Sequence, residues 1–193
     1  MIPFNHLGPV FKMFASLIYP GEFRKVLEST VQRVRNKGTV LDVGSGTGIL
    51  SQFAQAVRGD LRFMMVDPAP GMLRFAPGFA EKVIGRAESL PFPPGLFDAV
   101  FTGDVVHHFS DPAAALGEIQ RVMRSGGVLV VFDIDPGSPL GALITRGEKI
   151  FREPAHFYRP ERLAGLLAPR GFNCKIYRYG WRYSIIANTG DRQ

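Results

Sequence analysis

Val40-Leu41-Asp42-Val43-Gly44-Ser45-Gly46-Thr47-Gly48-Ile49-Leu50 joins a short apolar run to a glycine-dense turn and then to the first apolar residues of a helical pattern. Gly44, Gly46 and Gly48 alternate, so the backbone can take positive φ and a ligand can approach main-chain atoms without meeting a Cβ. This strand-turn-helix has the form of a nucleotide-binding turn, but its spacing is not the GxGxxG in which a pyrophosphate rests on the helix N-terminus. The order is acidic-x-Gly-x-Gly-x-Gly. Asp42 would repel a pyrophosphate and suits a ligand carrying a cationic amino-acid head. Tight turns also collect glycines for purely structural reasons, so the pattern around the turn decides between the two.

That pattern alternates helix and strand. Val10, Phe11, Phe14, Leu17 and Ile18 share one helical face, and Phe23, Val26, Leu27, Val31 and Val34 form a second stripe, making residues 1–38 a helical leader that Gly38 ends. Strands are expected at Thr39 to Val43, at Arg62 to Val66 ending in Asp67, at Lys82 to Ile84 and at Phe97 to Thr102, with helices carrying Leu50, Phe53, Ala54 and Val57, and Met72 to Ala76, between them. Asp111 caps a helix with Pro112 at its first position. Its inner face is Leu116, Ile119, Val122 and Met123, and Gly126-Gly127 stops it. Val128 to Phe132 is the unbroken apolar run of a central strand buried on both faces. Residues 136–160 are rich in Gly, Pro and charge, with a weak helical stretch near Leu143 to Ile150, and read as an insertion or lid. Pro160 opens a helix with Leu163, Leu166 and Leu167 inward, closed by Gly171. Phe172 to Tyr179 and Arg182 to Ala187 then flank Gly180-Trp181 as a hairpin at the sheet edge. The alternation specifies an α/β fold.

With 193 residues, 46% hydrophobic and 21% charged, the chain is the size of one domain, 1–193, and too rich in apolar residues for extensive disorder. No apolar run reaches spanning length and the N-terminus has no basic leader, so a cytoplasmic protein without an integral membrane segment is expected. Cys174 is the only cysteine, which excludes an intrachain disulfide and a multi-cysteine metal site. A net charge of +6 could attract RNA or a membrane surface, but the basic residues are scattered rather than gathered in a run, which argues against nucleic-acid binding.

The acidic-x-Gly-x-Gly-x-Gly turn resembles the first motif of the class I S-adenosylmethionine-dependent methyltransferases, and Val66-Asp67-Pro68 followed by Met72-Leu73 resembles their ribose motif. Gly85-Arg86-Ala87-Glu88-Ser89-Leu90-Pro91-Phe92 with Phe97-Asp98-Ala99-Val100 is similar to the adenine-binding stretch of small-molecule, quinone-methylating members. The likeness covers about Val40 to Phe132. It implies a Rossmann-like, doubly wound, mostly parallel seven-stranded sheet with a C-terminal antiparallel hairpin, and S-adenosyl-L-methionine as cofactor. Open α/β sheets bind ligands outside the carboxyl ends of their strands. The implied cofactor residues are accordingly Asp42, Gly44, Ser45, Gly46, Asp67, Pro68, Ala87, Glu88 and Gly103, with the two oxygens of Asp67 on the ribose hydroxyls. Leu73 is placed either on the adenine face or in the core. Many relatives have an acid where this chain has Arg86, so contact with the adenine amino group falls to the Ala87 amide and in part to Glu88. Asp98 opens its strand and suits a structural turn.

Methyl transfer needs in-line positioning above all. For a phenol, enol or acidic carbon it also needs a base, and imidazole changes protonation near neutrality. His107, in Val105-Val106-His107-His108-Phe109, and Asp133, at the end of strand five, are the catalytic candidates. Asp135, His156 and Tyr158 are weaker acceptor-side candidates, and His107 and His108 could equally form a helix-entry element bonded to the backbone. Two adjacent histidines whose side chains diverge, with no third ligand evident, do not make a metal site, so no metal is expected. The aromatic residues Phe4, Phe11, Phe14, Phe151, Phe157 and Tyr158 suggest an apolar pocket for a small-molecule acceptor, aromatic or quinone-like. Three alternatives remain open. A nucleic-acid methyltransferase would replace Thr102-Gly103-Asp104-Val105 with an Asn-Pro-Pro-aromatic turn, and an NAD(P)-dependent oxidoreductase would need GxGxxG and a Tyr-x-x-x-Lys pair. A non-catalytic S-adenosylmethionine-binding protein would need nothing further.

Overall fold

The structure, a computed structural model, is described for residues 18–150 and 156–190, the side chains of 148–150 excepted. Val10, Phe11, Phe14 and Leu17 of the expected first stripe, together with Phe4 and Phe151, lie outside these residues. The elements are α1 (Gly21–Val31), β1 (Thr39–Val43), α2 (Ile49–Val57), β2 (Arg62–Asp67), α3 (Pro70–Leu73), β3 (Glu81–Ile84) and β4 (Phe97–Gly103). After a 3-10 turn, Val106–His108, follow α4 (Pro112–Val122), β5 (Met123–Ile134), α5 (Pro139–Ile150), α6 (Pro160–Leu167), β6 (Phe172–Tyr179) and β7 (Arg182–Thr189).

Seven strands form one sheet in the order β3-β2-β1-β4-β5-β7-β6. The first five are parallel, and β7 returns antiparallel to both β5 and β6. The hairpin therefore inserts its second strand beside β5 and leaves β6 at the edge; Gly180, at φ 65°, makes the turn. The run Val128 to Phe132 feeds both faces of the sheet: Leu129 and Val131 pack with α4 and α6, whereas Val128, Val130 and Phe132 pack with α1 and α2. An uninterrupted apolar strand requires a layer of helices on each side, as is found here.

Local chemistry sets most of the boundaries. The Asp111 carboxylate accepts from the Ala114 N–H at 3.0 Å and Pro112 takes the first helical position of α4. Several boundaries fall elsewhere than the pattern predicts. The helix expected to run to Gly126 stops at Val122, because Met123 pairs with Phe97 and already belongs to β5. The register then slips before Ala99 pairs with Val128, and residues 124–127 arch outward, held by the Thr189 hydroxyl donating to the carbonyls of Arg124 and Gly127. The weak helix near Leu143 starts at Pro139, and the Met72 to Ala76 helix is a single turn begun at Pro70. Among the described residues no helix is long and apolar enough to cross a membrane.

Candidate active site

The carboxyl ends of β1, β2, β4 and β5 and the start of β7 converge on one edge of the sheet. At β1, Gly44, Gly46 and Gly48 take φ of 63°, 54° and 73°, the left-handed region where a side chain is strained, so the turn needs all three. A Cβ on Gly44 would overlap Val105, and one on Gly103, at the end of β4, would stand 2.6 Å from Leu50 and 2.9 Å from the Tyr19 hydroxyl. The Ser45 hydroxyl oxygen is buried and has no partner among the described residues; the Thr102 hydroxyl, one strand over, is in the same state.

Asp42 and Asp67 face this turn from below and beside it. Asp42 is buried and accepts from the Ser51 hydroxyl at 2.7 Å; burial pushes its carboxyl up to about 7, against the opposing pull of that hydrogen bond. Asp67 accepts the Gly46 N–H on one oxygen and the Ala69 N–H on the other, both at 2.8 Å, so each oxygen retains a lone pair. Burial raises its carboxyl too, partly offset by those two amides. Pro68 follows it, exposed, and Leu73 lies in the core on the α1 and α2 side. The Ala87 side chain is buried against the opposite core. Glu88 turns instead toward α4, where its carboxylate accepts the Ser110 N–H at 2.7 Å and stands 3.6 Å from Arg86. Burial would raise its carboxyl, but its own N–H, those of Ser110 and Asp111, and Arg86 bring it below the usual range. Asp98 lies at the opposite edge, bound to Thr39, Arg35 and Arg124.

A second polar group adjoins the first. His107 and Asp133 are both buried, and Nδ1 of His107 lies 2.6 Å from Asp133 Oδ1, which also accepts the Ile134 N–H at 2.7 Å. A carboxylate accepts only, so this contact assigns the proton to Nδ1 and the basic lone pair to Nε2. The Phe157 ring stacks on the imidazole, centroids 4.4 Å apart and planes 17° apart, and the His156 N–H donates to the His107 carbonyl at 2.7 Å. Residues 156 and 157, within the stretch 136–160, thus cover the histidine. Asp135 accepts the Gly137 N–H at 2.8 Å, Tyr158 packs on the core and His156 is exposed.

The histidine rings do not diverge as expected: their centroids are 4.1 Å apart. Nor is further carboxylate missing, because one donor atom each from Asp104, His107 and Asp133 lies within 4.8 Å of the others. The sequence concealed this grouping because Asp104 follows β4 while Asp133 lies on the neighbouring β5, far apart in the chain. A cationic partner already faces it. Arg182, at the start of β7, donates to Asp104 at 2.8 Å while its guanidinium lies 4.2 Å from the Trp181 ring centroid and 5.1 Å from that of Phe132. Its Nε is buried without a partner among the described residues. Asp104 is held at φ 58°, uncommon outside glycine. Tyr19 reaches the same edge from before α1, and burial, reinforced by Asp104 and Asp42, keeps its phenol protonated well above its ordinary range. Arg182 and Tyr19 escaped the sequence reading: the first reads as a hairpin residue and the second as part of an aromatic leader.

A family model described as a methyltransferase domain matches residues 41–131, from the strand before the glycine turn to β5. The chain carries a class I S-adenosylmethionine-dependent methyltransferase domain. The methyltransferase is 27% identical to the demethylmenaquinone methyltransferase of Thermus thermophilus, over 98% of this chain and 99% of that one. It is 33% identical to the uncharacterized methyltransferase YcgJ of Bacillus subtilis, over 63% of this chain but only about half, 51%, of the relative. Among solved structures, a Thermotoga maritima S-adenosylmethionine-dependent methyltransferase described as a possible histamine N-methyltransferase superposes with a TM-score of 0.76 at 21% identity, covering 97% and 98% of the two chains. A Haloferax volcanii putative methyltransferase complexed with the Trm112 activator does so at 0.80 and 14%, covering 97% of each. These two establish the fold. S-adenosylmethionine is the cofactor. The cradle without Cβ atoms, the orphaned Ser45 hydroxyl and the preponderance of carboxylates, Asp42, Asp67, Asp104 and Asp133 against Arg182, all fit a ligand carrying sulfonium and ammonium charge.

Proposed function

We propose that this methyltransferase acts on a small, apolar acceptor whose hydroxyl or acidic carbon loses its proton to His107. The acceptor is aromatic or quinone-like. The observation that carries the proposal is the buried pair His107 Nδ1 to Asp133 Oδ1 at 2.6 Å beneath the Phe157 ring. Asp133 fixes the tautomer and stabilises the imidazolium that forms when Nε2 takes the proton, the division of labour of a base and its orienting acid. Phe157 provides an apolar wall and excludes water. The nearly full-length likeness to a relative named for methylating demethylmenaquinone supports the quinone-like class.

Bound S-adenosylmethionine supplies an activated methyl group. Around it Asp67 holds the ribose, Pro68 stiffens the exit from β2, Ala87 offers its amide to the adenine and Glu88 braces that segment against α4. Gly44, Ser45 and Gly46 line the amino-acid part, Asp42 lies behind its cationic head, and Gly103 leaves room for the reacting end. Residues 136–160 form the acceptor-side insertion of one domain, 1–193.

The test is transfer of radiolabelled methyl to a panel of quinols, catechols, acyl-carrier thioesters and transfer RNA. His107→Ala and Asp133→Asn are expected to lower kcat 10²- to 10⁴-fold, the range of a general base, with cofactor affinity unchanged. Label entering RNA alone would place the protein with the nucleic-acid enzymes, and intact cofactor binding without transfer to any acceptor would leave a binding protein.

A further inference from the structure

At the amino edge of the sheet, opposite the cofactor, α1, the start of β4, the arch 124–127 and the end of β7 enclose a cleft of about 320 Å³. We infer that this cleft binds a small organic phosphate monoester. Arg33, Arg35 and Arg124 line it, and Asp98 is the only acid among its described lining residues. Asp98 is engaged on both oxygens: Arg35 and Arg124 share Oδ1 at 2.6 and 3.1 Å, and Oδ2 accepts the Thr39 N–H at 2.8 Å. The guanidinium of Arg33 makes no ion pair or hydrogen bond with any described residue.

Three cations against one carboxylate leave two positive charges, the complement of a phosphate monoester dianion. Guanidinium forks match phosphate oxygens bidentately. Between the arginines the floor is apolar, made of Val34, Val128 and Ile186, each under 10% exposed. A bare inorganic ion would leave that floor uncovered, whereas the organic part of a monoester would lie on it. The arch is tight: a Cβ on Gly127 would stand 2.8 Å from the Arg124 carbonyl, so a side chain is excluded there.

Calorimetric titration of the purified protein with phenyl phosphate at fixed ionic strength, with phenyl sulfonate as the monoanionic control, tests this. One saturable site is expected, tightening between pH 5.5 and 7.5 as the monoester takes its second charge near pH 6. Arg33→Gln should weaken it at least fivefold, with S-adenosylmethionine affinity unchanged as proof that the variant is folded. The inference is overturned if phenyl sulfonate binds equally, if Arg33→Gln changes nothing, or if phenyl phosphate fails to saturate while RNA or phosphatidylglycerol vesicles are retained.

Discussion

Asp42 is a carboxylate enclosed by the sheet with one hydroxyl for company, and that cost sets how the protein responds to pH. Burial raises its pKa from 3.8 to about 7, so folding favours the protonated form. The sign follows: its contribution to stability is fully present below about pH 4 and is lost as pH rises through about 7, a loss on the order of 4 kcal/mol for a group this buried. Denaturant unfolding at pH 5 and pH 8 should show the wild type weaker at pH 8 and Asp42→Asn much less so; a slope unchanged by the substitution would place the burden elsewhere. Asp67, raised in the same direction, accounts for what persists. Asp67→Ala removes the acceptor of both the Gly46 and Ala69 amides. S-adenosylmethionine affinity is expected to fall at least tenfold in titration calorimetry, and equal affinity would remove Asp67 from the ribose.

Among the elements, the turn between β1 and α2 and the strand β5 bear different loads. Gly44→Ala forces a side chain into left-handed φ, at about 1–2 kcal/mol, and into Val105 besides. Because Val105 precedes the turn that carries His107, the substitution should disturb both the cradle and the base. We expect a lower Tm together with lost cofactor binding, measured by thermal unfolding with and without S-adenosylmethionine. An unchanged Tm and affinity would show that the turn relaxes freely. Strand β5 works by alternation: Phe132 packs under Tyr19 and Phe23, with centroids 4.9 and 4.3 Å away, while its neighbour Asp133 faces the other side and meets His107. A one-residue slip of that strand would bury the acid among aromatics and set the phenylalanine against His107. The register with β7, Asp133 opposite Tyr183 and Ile134 opposite Arg182, is therefore part of the site.

Across the whole molecule, charge divides between the two edges of the sheet. Among the described residues, the carboxyl edge gathers Asp42, Asp67, Asp104 and Asp133 near Arg182, and the amino-edge cleft gathers Arg33, Arg35 and Arg124 around Asp98. The net +6 of the chain is thus no guide to what the carboxyl edge prefers. A ligand that binds only the folded state stabilises it by about 2.7 kcal/mol at one hundred times its Kd. S-adenosylmethionine and S-adenosylhomocysteine should accordingly raise Tm and NAD should not. A rise with NAD at the same concentration would contradict the acid-rich cradle.

Much of this was legible along the chain. The strand, acid and three glycines of 40–50, the Asp67 ending of β2 and the apolar run of β5 are local signals, because the need for positive φ, for a strand-end acid and for burial on two faces each leaves its mark on consecutive residues. From them follow the α/β alternation and the edge of the sheet where the cofactor is proposed to bind. The boundary between α4 and β5 was not legible, since Met123 suits a helix face as well as a strand and only its pairing with Phe97 decides. Nor was the polar group around His107. Asp104 follows β4, Asp133 lies on β5 and Arg182 on β7, and Arg182 arrives only because β7 inserts antiparallel beside β5. Local propensity writes itself into neighbouring residues, but proximity between distant ones is settled by strand order and register, which only the folded sheet supplies.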